Sequence, residues 1–103
     1  MSGRLVDVRV DLECTARTVD EDDLAALASA LRTALEERTE RLAVRREPGD
    51  YERVAVEATL RADSTLDGLR QVGDAVAGCL ALTGLFEQFD VTGGRLRAGP
   101  HEG

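Results

Sequence analysis

Between Tyr51 and Arg61, Val54, Val56, Ala58 and Leu60 alternate with Arg53, Ala55, Glu57, Thr59 and Arg61. A period of two on a β-rich run predicts a strand with one face on a core and the other in water. The run Leu5–Cys14 alternates in the same way. Val6, Val8, Val10, Leu12 and Cys14 share one phase, and Asp7, Arg9, Asp11 and Glu13 the other. A shorter alternation at Arg41–Arg46, with Leu42 and Val44 in phase, predicts a further strand joined to Tyr51–Arg61 by the turn Glu47-Pro48-Gly49-Asp50. Leu42 and Val44 point to the same side as Val54 and Val56 only if paired residue numbers have an even sum, as in Val44 opposite Val54. That condition predicts an odd-length loop, Pro48–Asp50, or a bulge. Leu85–Thr92, with Leu85, Phe89 and Val91 in phase, predicts the last strand. From Gly93 the chain turns Gly-rich and polar, which predicts a frayed tail holding His101.

Two stretches change period to about 3.6. Asp20 is a candidate N-cap, Glu21, Asp22 and Asp23 complement the helix dipole, and Leu24, Leu27, Leu31 and Leu35, flanked by Ala28 and Ala34, form a stripe in a helix running to about Arg38. The second helix opens at a cap on Asp63 or Ser64, with Asp67 at N3 of Ser64. Its predicted buried stripe is Leu66, Leu69, Val72, Val76 and Leu80, and Gly84 closes it as a left-handed C′ residue. Gly68, Gly73 and Gly78 each cost about 1 kcal/mol relative to Ala inside a helix. They predict close approach of this helix to its neighbours; the alternative is an exposed groove for a partner.

The order strand, helix, strand, strand, helix, strand, with right-handed crossovers, predicts an α+β, ferredoxin-like two-layer sandwich. In this βαββαβ topology the antiparallel sheet has order 4-1-3-2 and both helices cover one face. Residues 1–92 form the expected single domain and 93–103 the tail. Strands one and three are then central and antiparallel. Placing Glu13 opposite Arg53 sets Asp11 against Ala55, Arg9 against Glu57 and Asp7 against Thr59, so opposite charges meet twice and like charges never do.

Composition narrows what this fold could do. The thirteen basic residues are all Arg, and Lys, Ile, Asn and Trp are absent, a pattern expected of a GC-rich coding sequence before any phosphate recognition. A net charge of −7 opposes binding to nucleic acid. The amino terminus has no signal-like apolar run, and Ala75–Phe86 is too short to span a bilayer, so a cytoplasmic protein without membrane association is expected. Cys14 and Cys79 have no metal-ligand spacing; they fall at the same end of the domain and are expected reduced. The acids Asp20–Asp23 are explained by capping, so no metal and no cofactor is expected. With His101 in a tail there is no base for a nucleophilic triad, and no catalytic residue is assigned. Phosphate-cradling enzymes of this fold need an Asn beside an Arg such as Arg17, and RNA-binding domains need aromatic residues on the open face; both are missing.

What remains is a carboxylate–Arg lattice on the helix-free face: Asp7, Arg9, Asp11, Glu13, Arg53, Glu57 and Arg61. This face predicts a non-catalytic, small acidic protein-interaction module of adaptor, regulatory or immunity type, self-associating as a homodimer through open faces or edge strands and able to meet a basic protein partner. The alternative expectation is a small-molecule sensor or small enzyme that grips an anionic ligand between sheet and helices with Arg9, Arg53 or Arg17.

Overall fold

A computed structural model describes residues 3–14, 21–35, 38–47, 52–84 and 91–101. Its elements run β1 (Arg4–Cys14), α1 (Glu21–Ala34), β2 (Thr39–Glu47), β3 (Glu52–Ala62), α2 (Thr65–Thr83) and β4 (Val91–Pro100). The four strands form one antiparallel sheet in the order β2-β3-β1-β4, which is the ferredoxin-like arrangement. Helix α1 packs on α2 and β2, and α2 packs on β1, β3 and β4, so both helices cover one face of the sheet.

The inward phase of the central strands supplies half the core. Val6, Val8, Val10 and Leu12 of β1 and Val54, Val56, Ala58 and Leu60 of β3 are buried, against Leu24, Leu27, Leu31 and Leu35 of the first helical segment and Val72, Val76, Cys79 and Leu80 of α2. Burial of such side chains stabilises by about 1.5–3 kcal/mol each. The β1–β3 register is the expected one: Glu13 faces Arg53, Asp11 Ala55, Arg9 Glu57 and Asp7 Thr59.

Strand β2 pairs with β3 at the expected even sum, but Val44 faces Val56 rather than Val54. A register irregularity between Thr39 and Arg41 sets Glu40 apart at the start of the strand. The turn Pro48–Asp50 and the proposed cap Asp20 lie outside the described residues, as do Tyr51 and Arg17.

Ser64 is the cap of α2: its Oγ accepts from the Asp67 N–H at 3.0 Å, while the Asp67 carboxylate accepts from the Asp63 N–H at 3.2 Å. Gly84 closes the helix with φ 74°. Leu66, expected in the buried stripe, is 74% exposed. At about 100° per residue it stands far from the Gly68–Val72–Val76–Cys79 line that actually faces the sheet. Gly68 is in that line because a Cβ there would stand 3.0 Å from Val6 Cγ1. The glycine permits the helix to sit directly on β1.

The last strand also departs from expectation. It is not Leu85–Thr92 with a tail after it: residues 93–100 are part of β4, and Leu85–Asp90 lie outside the described residues. Leu96 and Ala98 alternate with Arg95 and Arg97, a strand pattern masked by Gly93, Gly94, Gly99 and Pro100. A sheet edge tolerates those residues because its outer backbone groups pair with no further strand. His101 continues the ladder, its N–H donating to the Leu5 carbonyl at 3.0 Å, so it belongs to the folded sheet.

Candidate functional site

The open face of the sheet is built by the odd-numbered phase of all four strands. Asp7, Arg9, Asp11 and Glu13 come from β1, Arg53, Glu57, Thr59 and Arg61 from β3, Arg41, Arg45 and Glu47 from β2, and Arg95 and Arg97 from β4. Because side chains alternate across a strand, the register alone brings them together.

Arg9 is the hub. Its Nε donates to Asp11 Oδ1 at 2.9 Å, Nη1 to Glu57 Oε1 at 3.1 Å and Nη2 to Glu47 Oε1 at 2.7 Å. Arg45 donates to the same Glu57 oxygen, and Arg97 reaches Asp11 Oδ2 at 3.4 Å. Three guanidiniums and three carboxylates thus form one neutral chain of contacts across all four strands. The hydrogen bond to Asp11, followed by that to Glu47, raises the pKa of Arg9 further above its already high value. Arg97 lies directly opposite Arg9 in register, and the intervening Asp11 carboxylate relieves that like-charge pairing. Beneath the network, Ala55 is 1% exposed although it points to the open side.

A second cluster surrounds Asp7. Thr59 Oγ1 donates to Asp7 Oδ1 at 2.6 Å, and His101 Nδ1 stands 3.0 Å from the same oxygen. The Thr59 hydrogen bond holds the Asp7 carboxyl below the ordinary value of 3.8, against the opposing effect of burial and with help from His101 and Arg41. Arg61 does not join the central network but pairs with Glu40 at 3.4 Å, at the irregularity in β2. Glu13 and Arg53 face each other without forming an ion pair between them. Sequence reasoning therefore placed the Arg9–Glu57 and Asp7–Thr59 contacts and missed Arg45, Glu47, Arg97 and His101, which needed the edge-strand registers. The alternation Arg41-Leu42-Ala43-Val44-Arg45 and the Arg95-Leu96-Arg97-Ala98 pattern carried that signal.

With Glu40 counted at its rim, six acids stand against seven arginines on this face, a balance of +1; the whole chain carries −7, so everything else carries −8. The face is nearly neutral and the rest is acidic. An open depression of about 940 Å³ spans it, with Asp7, Arg9, Arg41, Glu57, Arg97 and His101 among its lining. Arg9, with its three carboxylates, has little capacity left for a ligand.

Cys79 is a free, buried thiol whose burial raises its pKa, which keeps it protonated. The Cys14 side chain, and with it any contact to Cys79, lies outside what is described. Among the described residues no cluster of three or more His, Cys, Asp or Glu could hold a metal, and no helix is long and apolar enough to cross a membrane.

The sequence matches no protein-family model and no curated protein. Its fold is similar to that of several solved structures. A dimeric ferredoxin-like protein of unknown function from Thermobifida fusca has a TM-score of 0.58 at 17% identity, over 98% of this chain and 95% of that one. A dimeric ferredoxin-like protein from an uncultured marine organism has a TM-score of 0.52 at 13% identity, over 97% and 90%. An uncharacterised protein from Thermotoga maritima has a TM-score of 0.48 at 14% identity, over 98% and 100%. The first two of these likenesses establish a ferredoxin-like fold.

Proposed function

We propose that this chain is a non-catalytic interaction module that self-associates through the open face of its sheet and presents its acidic helical side to a basic protein partner. The segregation of charge carries the reading. Two copies of a chain at −7 repel each other, and repulsion is least where the surface is locally balanced, at the face with +1 rather than at the remainder with −8. A two-fold contact brings the same patch of both copies together, so it requires a surface complementary to itself. A lattice of alternating arginines and carboxylates meets that requirement, since rotation can set Arg45 or Arg97 of one copy against the acids of the other. Two of the similar structures are described as dimeric, which supports self-association. An adaptor, regulatory or immunity-type role follows from the acidic exterior left outside such a dimer.

Sedimentation velocity at about 50 mM and about 500 mM salt tests the reading, since exposed charges are screened over about 10 Å at 0.1 M ionic strength. A dimer that weakens at high salt and is lost in Arg45→Glu is expected. A monomer at every concentration and both salts would overturn it.

A further inference from the structure

Strand β4 is an edge of the sheet, and among the described residues no further strand pairs with it. The His101 N–H donates to the carbonyl of Leu5, its partner in the β1–β4 register, so the odd-numbered residues of β4 turn their N–H and C=O groups towards β1. The even-numbered ones turn theirs outward. Gly94, Leu96 and Ala98 each leave a donor and an acceptor there, and Pro100, which has no N–H, closes that edge. An apolar strip runs alongside. Helix α2 packs on β4, where a Cβ at Gly73 would stand 3.0 Å from Cδ2 of the half-exposed Leu96. At about 100° per residue, Gly73 and Ala77 fall within about 20° of Leu66 on the helix, and Leu66 and Ala77 are exposed. On the other side of the strand, Arg95 is exposed and forms no ion pair among the described residues, while Arg97 reaches Asp11 at 3.4 Å.

We propose that the outer edge of β4 binds an extended segment of another protein by antiparallel strand addition, and that this segment alternates apolar with acidic residues. Backbone groups supply the ladder, and side-chain phase supplies the selectivity. The apolar phase would lie beside Leu96 and Ala98 against the strip on α2, and the acidic phase beside Arg95 and Arg97. Strand β1 already shows that these side chains accept such a sequence. On the inner edge Val8 and Val10 face Ala98 and Leu96, and Asp11 faces Arg95 and takes Arg97. Arginines and a proline on an edge also deter unwanted pairing, but arginines deter other basic edges and admit an acidic strand. A second copy of this chain fits less well. Two β4 edges centred on Leu96 set Arg95 opposite Arg97 twice, and β2 brings Arg41 and Arg45 in the open-face phase. The edge site does not depend on self-association through the open face.

The test is an amide NMR titration of the full chain with the acetylated, amidated peptide Val-Asp-Val-Asp-Val-Asp-Val and its Val-Arg counterpart. Saturable shifts and slowed solvent exchange at Gly94, Leu96 and Ala98, with a Kd of about 0.1–1 mM, are expected for the acidic peptide. Arg95→Glu should weaken that binding about tenfold and admit the Val-Arg peptide, because it reverses the cross-strand charge pair. Antiparallel pairing of valines with Leu96 and Ala98 turns the valine N–H groups to β4, so N-methylated valines should abolish binding and N-methylated aspartates should leave it. The proposal is overturned by an absence of saturable shifts at these three amides, by equal binding of the Val-Arg peptide to the wild type, or by binding of the valine-methylated peptide. Slowed exchange at the same amides on raising the concentration of the chain alone would assign the edge to a second copy and also overturn it.

Discussion

The two faces of β1 and β3 share one backbone ladder and differ in everything the side chains do. Inward, Val6, Val8, Val10, Val54, Val56 and Leu60 are at most 3% exposed and pack together in the apolar core. Outward, Arg9 is 29% exposed, Asp11 22% and Glu57 38%, and they hold one another by charge. Removing apolar surface from water is non-directional and scales with area, so the inward face carries stability. Half-exposed ion pairs gain little net free energy but are demanding about geometry, so the outward face carries specificity. A helix layer covers the first face, and no element among the described residues covers the second.

The sharpest way to break this comparison uses two adjacent residues of β3. Leu60 is fully buried, while Arg61 is exposed and, among the described residues, ion-paired only with Glu40. Leu60→Ala should destabilise by about 2–5 kcal/mol through lost burial and a cavity. Arg61→Ala should cost at most about 1 kcal/mol. Urea unfolding of both variants measures the contrast, and equal losses would mean that the outward face is structural after all.

The glycines of α2 extend the comparison to the helix layer. Gly68→Ala puts a methyl 3.0 Å from Cγ1 of the fully buried Val6, so helix or strand must shift by a few tenths of an ångström within packed surroundings. Overpacking of about 1–3 kcal/mol should exceed the gain in helix propensity. At Gly78 a Cβ meets nothing within 4 Å, so Gly78→Ala should stabilise by about 1 kcal/mol. Opposite signs in thermal unfolding are expected, and a destabilised Gly78→Ala would reveal a close neighbour on that exposed side. In Gly73→Ala the methyl approaches only the end of the half-exposed Leu96 side chain, which can swing aside.

How well each face could be read from sequence follows the same division. The inward phases of β1 and β3 are unbroken, and a strand slipped by one residue would turn every valine to water, so phase and register were both legible. The Arg9–Glu57 and Asp7–Thr59 contacts came with that register. Edge strands carry a weaker signal because one of their sides needs no partner. Phe86 and Phe89 drew the last strand towards Leu85–Thr92, while the true strand contains Gly93, Gly94, Gly99 and Pro100, residues a central strand would reject. Arg97 and His101 were hidden with it. Glu47 and Arg45 were hidden by β2, whose pairing lies two residues from the nearest even-sum alternative. Leu66 misled because its spacing fits the stripe, whereas the helix turns its glycine to the sheet.

Removing the hub of the outward network comes next in size. Arg9→Gln leaves Asp11, Glu47 and Glu57 close together without the guanidinium that joins them. A loss of about 1 kcal/mol is expected at low salt, shrinking as salt screens the three acids from one another. Urea midpoints at two ionic strengths give the answer, and a loss that does not change with salt would assign Arg9 a packing role in place of an electrostatic one.

Asp7 offers the smallest effect and separates the second cluster from the first by pH. Its carboxyl is held below 3.8, chiefly by the Thr59 hydroxyl, with His101 and Arg41 adding to the shift and burial opposing it. A group whose pKa is lower in the folded state than in the unfolded chain contributes stability above the unfolded value, and that contribution disappears as pH falls through the folded one. Asp7→Asn should therefore be less stable than the wild type at pH 7, by well under about 1 kcal/mol because the carboxylate is half exposed. The difference should narrow as pH falls below the unfolded-chain value of about 3.9 and close only below the lowered folded-state value, where the carboxyl is protonated in both states. Thr59→Val should reproduce most of the closing, because it removes the largest cause of the shift, and His101→Gln should reproduce less. Urea midpoints from pH 7 down to about pH 3 distinguish these variants. A constant difference across the range would mean that Asp7 acts through shape and hydrogen bonding alone, which would leave the electrostatics of the open face to the Arg9 network and the Arg61–Glu40 pair.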